Sequence, residues 1–456
     1  MGVFGAMQTA ITGLRAQATA LGHISNNIAN SQTVGYKRSD TTFSDLVPGS
    51  PARQQALGVV QAFSRPTNTV QGDITKSEVR TFMGVNGDGY FIIGAREDTV
   101  DGLPVFSDEE LYTRRGDFEL DRNGYLVNGA GYYLKGLAIN PATGNVTGSV
   151  PDFIQVTNDF LPASATTQME YQANLAATPK TSSFDPAIPN SELLAFGSYA
   201  VDPRASGAGV VQAGDNTLFL SETIAGGAVT GFDALGASVD VQFRWAKIDS
   251  VASGGSDTWN LFYLSDSAAT GAATQWTNVG QDYTFNAQGS LNPALPSVTI
   301  TGLTVNGIAL GNIPLLHGAG MTQFADSSGS ATITDIDQNG SSAGEFSGIS
   351  VSEEGRIIAS YTNGRVIEVA EVTLASFLAD GFLEKADGNA FRRTIESGNA
   401  ILGSQGKLVG AALEASNTDI ADEFSKLIVT QQAYAANTRV ISTGEEMLQE
   451  VLNMLR

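Results

Sequence analysis

Residues 85–93 read Val85-Asn86-Gly87-Asp88-Gly89-Tyr90-Phe91-Ile92-Ile93, and residues 118–127 read Phe118-Glu119-Leu120-Asp121-Arg122-Asn123-Gly124-Tyr125-Leu126-Val127. Each holds an Asn-Gly pair beside a short apolar run, and Asn and Gly tolerate the positive φ that tight hairpin turns require. The pattern returns at Tyr361-Thr362-Asn363-Gly364-Arg365, within the stretch Gly348 to Ala375. Short strands with tight turns predict a β body, begun near Ile74 and completed after residue 348.

Between those halves the composition shifts towards Ser, Thr, Ala and Gly. Residues 151–345 carry eighteen acidic and four basic side chains, so fourteen of the chain's 22 net negative charges sit there. Strand patterns continue inside it. Val239, Val241, Phe243 and Trp245 alternate with Asp240, Gln242 and Arg244, and Trp259, Leu261 and Tyr263 form another one-sided run. This predicts an inserted, solvent-facing β domain.

The two ends read differently. Met7, Leu14, Leu21 and Ile28 recur every seven residues, with Phe4, Ile11 and Ala18 three positions ahead, the stripe of a helix that packs on helices. At the other end Ile420, Leu427, Tyr434, Ile441, Leu448 and Leu455 keep the same period. Asp419 stands as the N-cap, with Asp422 and Glu423 in the first turn. The second seam there is mixed, from Phe424 to Gln431, Thr438, Glu445 and Leu452. The two helices can pair within one monomer. Their position where chains usually fray, and the little surface that two helices bury, favour reading them as assembly elements. Tyr434 and Asn437 are the residues expected to be special there, as a hydrogen-bonding pair, although an amphipathic helix also explains Tyr434.

The predicted fold class is mainly β with α-helical termini, as a nested multi-domain chain. An N-terminal assembly helix over 1–30 leads to a linker or extended hairpin at 31–73. The first half of a discontinuous β domain follows at 74–147, an inserted outer β domain at 148–347 and the second half at 348–405. A C-terminal assembly helix at 406–456 pairs with the first into a coiled-coil-like core.

The bulk numbers agree. A chain of 456 residues is long for one core, and 42% hydrophobic against 16% charged residues with 51 glycines suits a turn-rich β body. A net charge of −22 repels phosphate backbones, which excludes nucleic acid as an expected partner. The absence of cysteine excludes disulfides and thiol chemistry. No stretch reaches the roughly 18 uninterrupted apolar residues of a membrane span, and the first thirty residues lack a secretory signal's pattern.

Chemical motifs are few. Asp335-x-Asp337-x-Asn339-Gly340 has the spacing of a calcium loop, but its twelfth position is Phe346 with Glu345 one place early, so a polar turn is expected. Arg115-Gly116-Asp117 spells an adhesion tripeptide within a hairpin. Gly84-x-x-Gly87-x-Gly89 and Gly406-Lys407 lack the order of phosphate-binding loops. His23, flanked by Gly22 and Ile24, is read as a polar-face residue. No catalytic residues, metal ligands, cofactor or small-molecule substrate are expected.

Particular residues do carry a resemblance. Ser25-Asn26-Asn27-Ile28-Ala29-Asn30, then Thr33, Gly35-Tyr36-Lys37 and Phe43, is similar to the amino-terminal signature of the flagellar rod and hook family of axial proteins. Leu413-Glu414-Ala415-Ser416-Asn417, Glu423-Phe424, Ile428-Val429-Thr430-Gln431, Tyr434, Ala436-Asn437, Arg439-Val440-Ile441 and Glu446-Met447-Leu448-Gln449-Glu450 resembles its tail. Tyr112-Thr113-Arg114 with Gly116 and Phe118, and Asp121 with Gly124-Tyr125-Leu126, are similar to its first β domain. The resemblance covers roughly 1–145 and 350–456. The tail departs from the pattern at Gly444 and at Ala435-Ala436-Asn437, and a mid-helix glycine costs about 1 kcal/mol relative to alanine, so the last turns are expected to kink or to form only in the polymer.

The resemblance implies a subunit of a helical tube, with terminal helices around a central channel and the inserted domain outside. The large insertion favours the flexible hook over the shorter, rigid distal rod; a secreted β-rich adhesin is the remaining alternative. It also implies assembly with copies of itself, and partners in the distal rod protein, the hook cap scaffold, the hook–filament junction protein and the flagellar type III export apparatus. The place implied is the extracellular hook, reached without a cleavable signal peptide. The family motif residues are Asn26, Asn27, Ala29, Asn30, Gly35 and Tyr36.

Overall fold

The computed structural model describes residues 3–46, 59–141, 143–403 and 406–454. Residues 47–58 of the expected linker and Leu455 of the expected seam lie outside these. The fold is mostly β with a long helix at each end. By contacts the chain divides into two units. One comprises residues up to 158 with 346–360 and 366–456; the other is 159–345 with 361–365.

In the first unit the N-terminal helix spans Val3–Ala29 and the C-terminal helix Ile420–Met454. The strands Ser39–Leu46 and Val59–Pro66 form an antiparallel ribbon in unbroken register from Ser39↔Pro66 to Leu46↔Val59. That ribbon packs on the N-terminal helix. The main sheet centres on Tyr90–Val100, paired with Leu103–Thr113 on one side and Tyr132–Ile139 on the other. Its run Tyr90-Phe91-Ile92-Ile93 is continuously apolar because both faces are covered. Tyr90 and Ile92 pack with Tyr112, Phe377 and Phe391, while Phe91 meets Phe118 edge-on at 5.5 Å. The later hairpin, Arg356–Tyr361 with Val366–Glu371, joins the same sheet through Ala370↔Ala138, so strands from both halves of the sequence share it.

The second unit holds two five-stranded sheets. One side of each contributes to a common core of Tyr171, Phe243, Trp245, Trp259, Tyr283, Ile300 and Leu315. Along Ser238–Asp249, Val239, Val241, Phe243 and Trp245 are buried while Ser238, Asp240 and Gln242 are exposed. The strand Asp257–Leu264 is not one-sided as expected. Phe262 and Leu264 pack on its far face against Phe219 and Trp276, so both faces are buried. His317, fully buried, lies between Tyr171 O at 2.8 Å from Nδ1 and the Tyr283 hydroxyl at 3.0 Å from Nε2. Asn339 accepts from the amides of Thr167 and Gln168 and donates to Thr167 Oγ1, which makes the Asp335–Gly340 segment a strand end and polar turn.

Two boundaries and the course of the last helix differ from the sequence reading. The strand Val146–Phe153 belongs to the first unit, because it pairs with Tyr132–Ile139, and the second unit begins at 159 rather than 148. Residues 407–410 and 412–414 are strands, not helix: they pair with Met83–Asn86 and Ile74–Lys76 before the chain turns into the helix at Ile420. That helix runs unbroken through Gly444, without the expected kink.

Candidate functional site

The two terminal helices run antiparallel: Asn27 meets Glu423 at one end, and Gly444 lies under Met7 and Val3 at the other. Their contact is built from small residues. On the N-terminal helix Ala10, Ala16, Ala20, Ile24 and Asn27 are buried; on its partner Glu423, Thr430 and Gly444 are. A Cβ placed on Gly13 would stand 3.0 Å from Asn437 Nδ2, and one on Gly444 3.0 Å from Met7 Cγ. Glycine at these crossings permits the close approach.

The structure therefore moves the seam. Met7, Leu14, Leu21 and Ile28 are half-buried, but Phe4, Ile11 and Ala18 face outward, Phe4 at 74% exposure. On the C-terminal helix Leu427, Asn437, Ile441 and Leu448 lie on or beside the inner face, whereas Ile420, Phe424 and Tyr434 are exposed. Tyr434 and Asn437 are not a bonded pair, since one points outward and the other towards Gly13. The heptad reading followed the large side chains, and of these Phe4, Ile11, Ile420, Phe424 and Tyr434 are left uncovered. Ile428, Val429, Val440, Met447, Val451 and Leu452 are exposed as well.

At the other end of the pair the helices are tied to the β body by buried polar groups. Asn27, 1% exposed, makes four bonds, which is all its amide can orient at once. Its Oδ1 accepts from Ser39 N at 3.0 Å and from the Tyr36 hydroxyl at 3.3 Å. Its Nδ2 donates to Ser39 O at 3.0 Å and to Glu423 Oε2 at 3.1 Å. Asn26 Nδ2 donates to the same Tyr36 hydroxyl at 3.2 Å, and Asn30 Nδ2 to Asn26 O and Oδ1 at 2.9 and 3.0 Å. Ala29 closes the helix and is exposed. Glu423 Oε1 takes Lys426 Nζ at 2.7 Å. Burial, reinforced by the Glu423 charge, pushes the Tyr36 phenol up, so it stays a neutral donor. His23 Nδ1 lies 2.8 Å from Thr41 Oγ1 on the adjoining ribbon.

A second cluster continues the first. Glu414, fully buried, bonds Lys37 Nζ and the amide of Gly72 through Oε1 and Arg114 Nη1, at 3.3 Å, through Oε2. Lys37 also donates to Val70 O at 2.7 Å, and Arg114 Nη2 to Gly87 O at 2.8 Å. Burial lowers the Lys37 ammonium pKa and Glu414 opposes that shift, so removing the carboxylate would strand a cation in the interior. Gly35 donates its amide to Glu414 O at 2.8 Å; with φ +66° and the Arg114 backbone 2.7 Å from where a Cβ would stand, only glycine fits. Asn417 completes the lacing, accepting from Arg38 N at 2.8 Å and donating to Thr67 O and Val70 O. Asp419 then caps the helix, its Oδ1 accepting from Ala421 N and Asp422 N at 2.8 and 3.2 Å.

Segments 26–39, 67–72 and 414–426 are thus one clasp. Glu414, Arg114 and Lys37 were not singled out as site residues from sequence. Charged residues are usually solvated, so nothing marked them as mutual partners, although all three stand within the family-like stretches quoted above. Arg115 and Asp117 form a bidentate pair with each other at 2.7 Å, which makes the adhesion-like tripeptide part of a turn. The clasp is a set of amide hydrogen bonds and buried charge pairs. It fixes where the two helices leave the β body and which faces they present.

Three family descriptions match the sequence. "Flagella basal body rod protein" matches residues 7–37, "Flagellar hook protein FlgE/F/G D1 domain" 84–161 and "Flagellar basal body rod FlgEFG protein C-terminal" 409–454. The flagellar hook protein FlgE of Brucella suis biovar 1 is 30% identical over 462 residues, covering 100% of both chains. That of Salmonella typhimurium is 29% identical, covering 98% of each, and that of Escherichia coli K12 is 28% identical, covering 98% of this chain and 100% of its own. The crystal structure of Helicobacter pylori flagellar hook protein FlgE2 superposes with a TM-score of 0.50 at 16% identity, covering 75% of this chain and 100% of that one.

Proposed function

Because the chain belongs to the flagellar hook protein family and is a structural subunit of the hook, we propose that its terminal helices, held in place by the clasp, are the elements that polymerise it. One observation carries this reading. The pair closes over alanine and glycine, while Phe4, Phe424, Ile428, Val429 and Leu452 stay in solvent. An apolar surface of that extent on a regular pair of helices is the kind that a neighbouring copy covers.

In this reading, copies stack so that the outward faces of one helix pair close on the next. The distal rod protein, the cap scaffold and the hook–filament junction protein would meet the same polymer at its ends. Export through the flagellar type III apparatus, without a cleaved signal, would deliver the chain. The role is structural throughout and involves no catalytic step, cofactor or small-molecule substrate.

Phe424→Asp with Ile428→Asp tests it. Both side chains are exposed, so the soluble chain should keep its circular dichroism and melting profile. Tubes should no longer form when seen by electron microscopy, since a charge in a closed apolar seam costs several kcal/mol. Tubes of normal length from this variant would remove the assembly role of the helices.

A further inference from the structure

Residues 283–325, a run of 43 positions in a chain that is 16% charged, contain no Asp, Glu, Lys or Arg. The rest of the second unit is dense in them. Residues 159–345 with 361–365 carry seventeen acidic and five basic side chains, a net charge of −12, none of them between Tyr283 and Ala325. The unit is thus acidic except along one stretch of chain.

That stretch builds a sheet edge. Its strands Ser297–Val305 and Ile308–Leu316 form an antiparallel hairpin turned by Asn306-Gly307, both at positive φ (49° and 84°). Ile308–Leu316 pairs on its other side with Met169–Ala176, whereas Ser297–Val305 pairs only with its hairpin partner among the described residues. Val298 and Ile300 are buried in the unit's core, and Ser297, Thr299 and Thr301 are exposed.

The register decides where the backbone groups of this edge point. His317 N donates to Pro296 O at 2.8 Å, and the pairs continue as Ser297↔Leu316, Val298↔Leu315, Thr299↔Pro314 and Ile300↔Ile313. Bonded and non-bonded pairs alternate along an antiparallel ladder, so Val298 and Ile300 bond inward and Ser297 and Thr299 do not. Pro314 agrees, since a residue without an N–H suits a non-bonded pair. The N–H and C=O of Ser297 and Thr299 therefore point out of the sheet, and no hydrogen bond engages them among the described residues.

Such edges are normally guarded. A row of unpaired donors and acceptors invites another strand, and soluble sheets blunt it with charged side chains, Pro or bulges. Here a register shift between Ile300 and Leu303 ends the straight part, but no charge guards Ser297–Thr301. Charge returns at Glu170, two strands in and opposite Leu316, and at Asp266, next to the Ser265 carbonyl that takes the Asn306 amide. Two copies of so acidic a unit repel over most of their surface and approach at least cost where both are neutral. A basic foreign protein would be drawn to the acidic remainder instead.

We propose that the Ser297–Thr301 edge is a subunit contact, at which the inserted unit of a second copy of this chain adds to the sheet through main-chain hydrogen bonds. The inference rests on the polymerisation reading above and adds to it a contact that does not involve the helices. Main-chain bonding at a neutral edge joins two acidic units without opposite charges.

Hydrogen exchange, compared residue by residue between the soluble chain and assembled tubes, tests it. The Ser297 and Thr299 amides should exchange as exposed backbone does in the soluble chain and about tenfold or more slower in tubes. In parallel, Thr299→Glu with Thr301→Glu puts like charges into the contact and should raise the concentration needed for assembly by about tenfold. Thr299→Gln with Thr301→Gln, similar in bulk and uncharged, should assemble as the wild type does. Ser297 and Thr299 amides that exchange as fast in tubes as in the soluble chain would overturn the edge contact and leave helix-driven polymerisation standing. Unchanged assembly of the Glu variant would overturn it too. A wild-type chain that stays monomeric at every concentration would remove both.

Discussion

The core of the second unit encloses Tyr171, Trp245, Trp259 and Tyr283 completely, whereas the paired helices meet over Ala10, Gly13, Ala16, Ala20 and Gly444 and leave their phenylalanines in water. The first region contains the apolar surface it needs to fold. The second has apolar surface in quantity and directs it outward, so its own closure depends on close backbone approach and on the buried polar clasp. Large side chains turned inward mark a part that is finished within the monomer. Small ones turned inward, with large ones turned out, mark the part that neighbouring copies would complete under the proposed function.

Breaking the self-sufficient side should have the larger effect. Trp259→Ala empties a fully buried site and should cost the second unit about 3–5 kcal/mol, read as a lower denaturant midpoint. Helix-driven assembly should persist where that unit stays folded; equal loss of both would show that the two regions are one cooperative block. Next comes the clasp. Glu414→Gln leaves Lys37 and Arg114 buried without their counter-charge and should cost about 3 kcal/mol, with early hydrogen exchange in the helices while the Trp259 core remains protected.

A smaller change sharpens the contrast. Gly444→Ala gains helix propensity of about 1 kcal/mol, and the atom it crowds is the flexible Met7 side chain, which can yield. Slightly raised stability is the expected result. A clear loss would mean that the helices already sit at their closest tolerable approach.

The smallest effect concerns acid. Burial lowers the His317 pKa from 6.5, and the Tyr171 carbonyl opposes this only in part. The folded state therefore prefers the neutral ring. Its contribution is complete above the unfolded pKa and is lost as pH falls from about 6.5 through the lower folded value. The second unit should melt progressively earlier over that range, and His317→Gln should flatten the slope; an unchanged slope would place the acid sensitivity elsewhere.

Much of this was legible in the sequence for identifiable reasons. Asn-Gly turns and two-residue alternation mark local strands and turns, so Asn123-Gly124 and the Val239–Trp245 strand could be read directly, whereas the strands flanking Asn86-Gly87 pair elsewhere, Met83–Asn86 with Lys407–Gly410. The seven-residue stripes correctly placed helices at both ends. Which face was inner could not be read from them, because a heptad count weighs Leu and Phe above Ala and Gly, and here the small residues make the contact. Glu414 and Lys37 were invisible as partners, being 377 positions apart, and charge alone does not announce burial.

The Asn27–Glu423 bond joins residues 396 positions apart. A chain delivered from its amino end holds one half of the clasp long before it receives the other. Closing so wide a loop is entropically unfavourable until the β units have folded and drawn its ends together. If the helices assemble the polymer as proposed, the helix pair would be the last part to form, and an interrupted chain would lack the surface by which copies join.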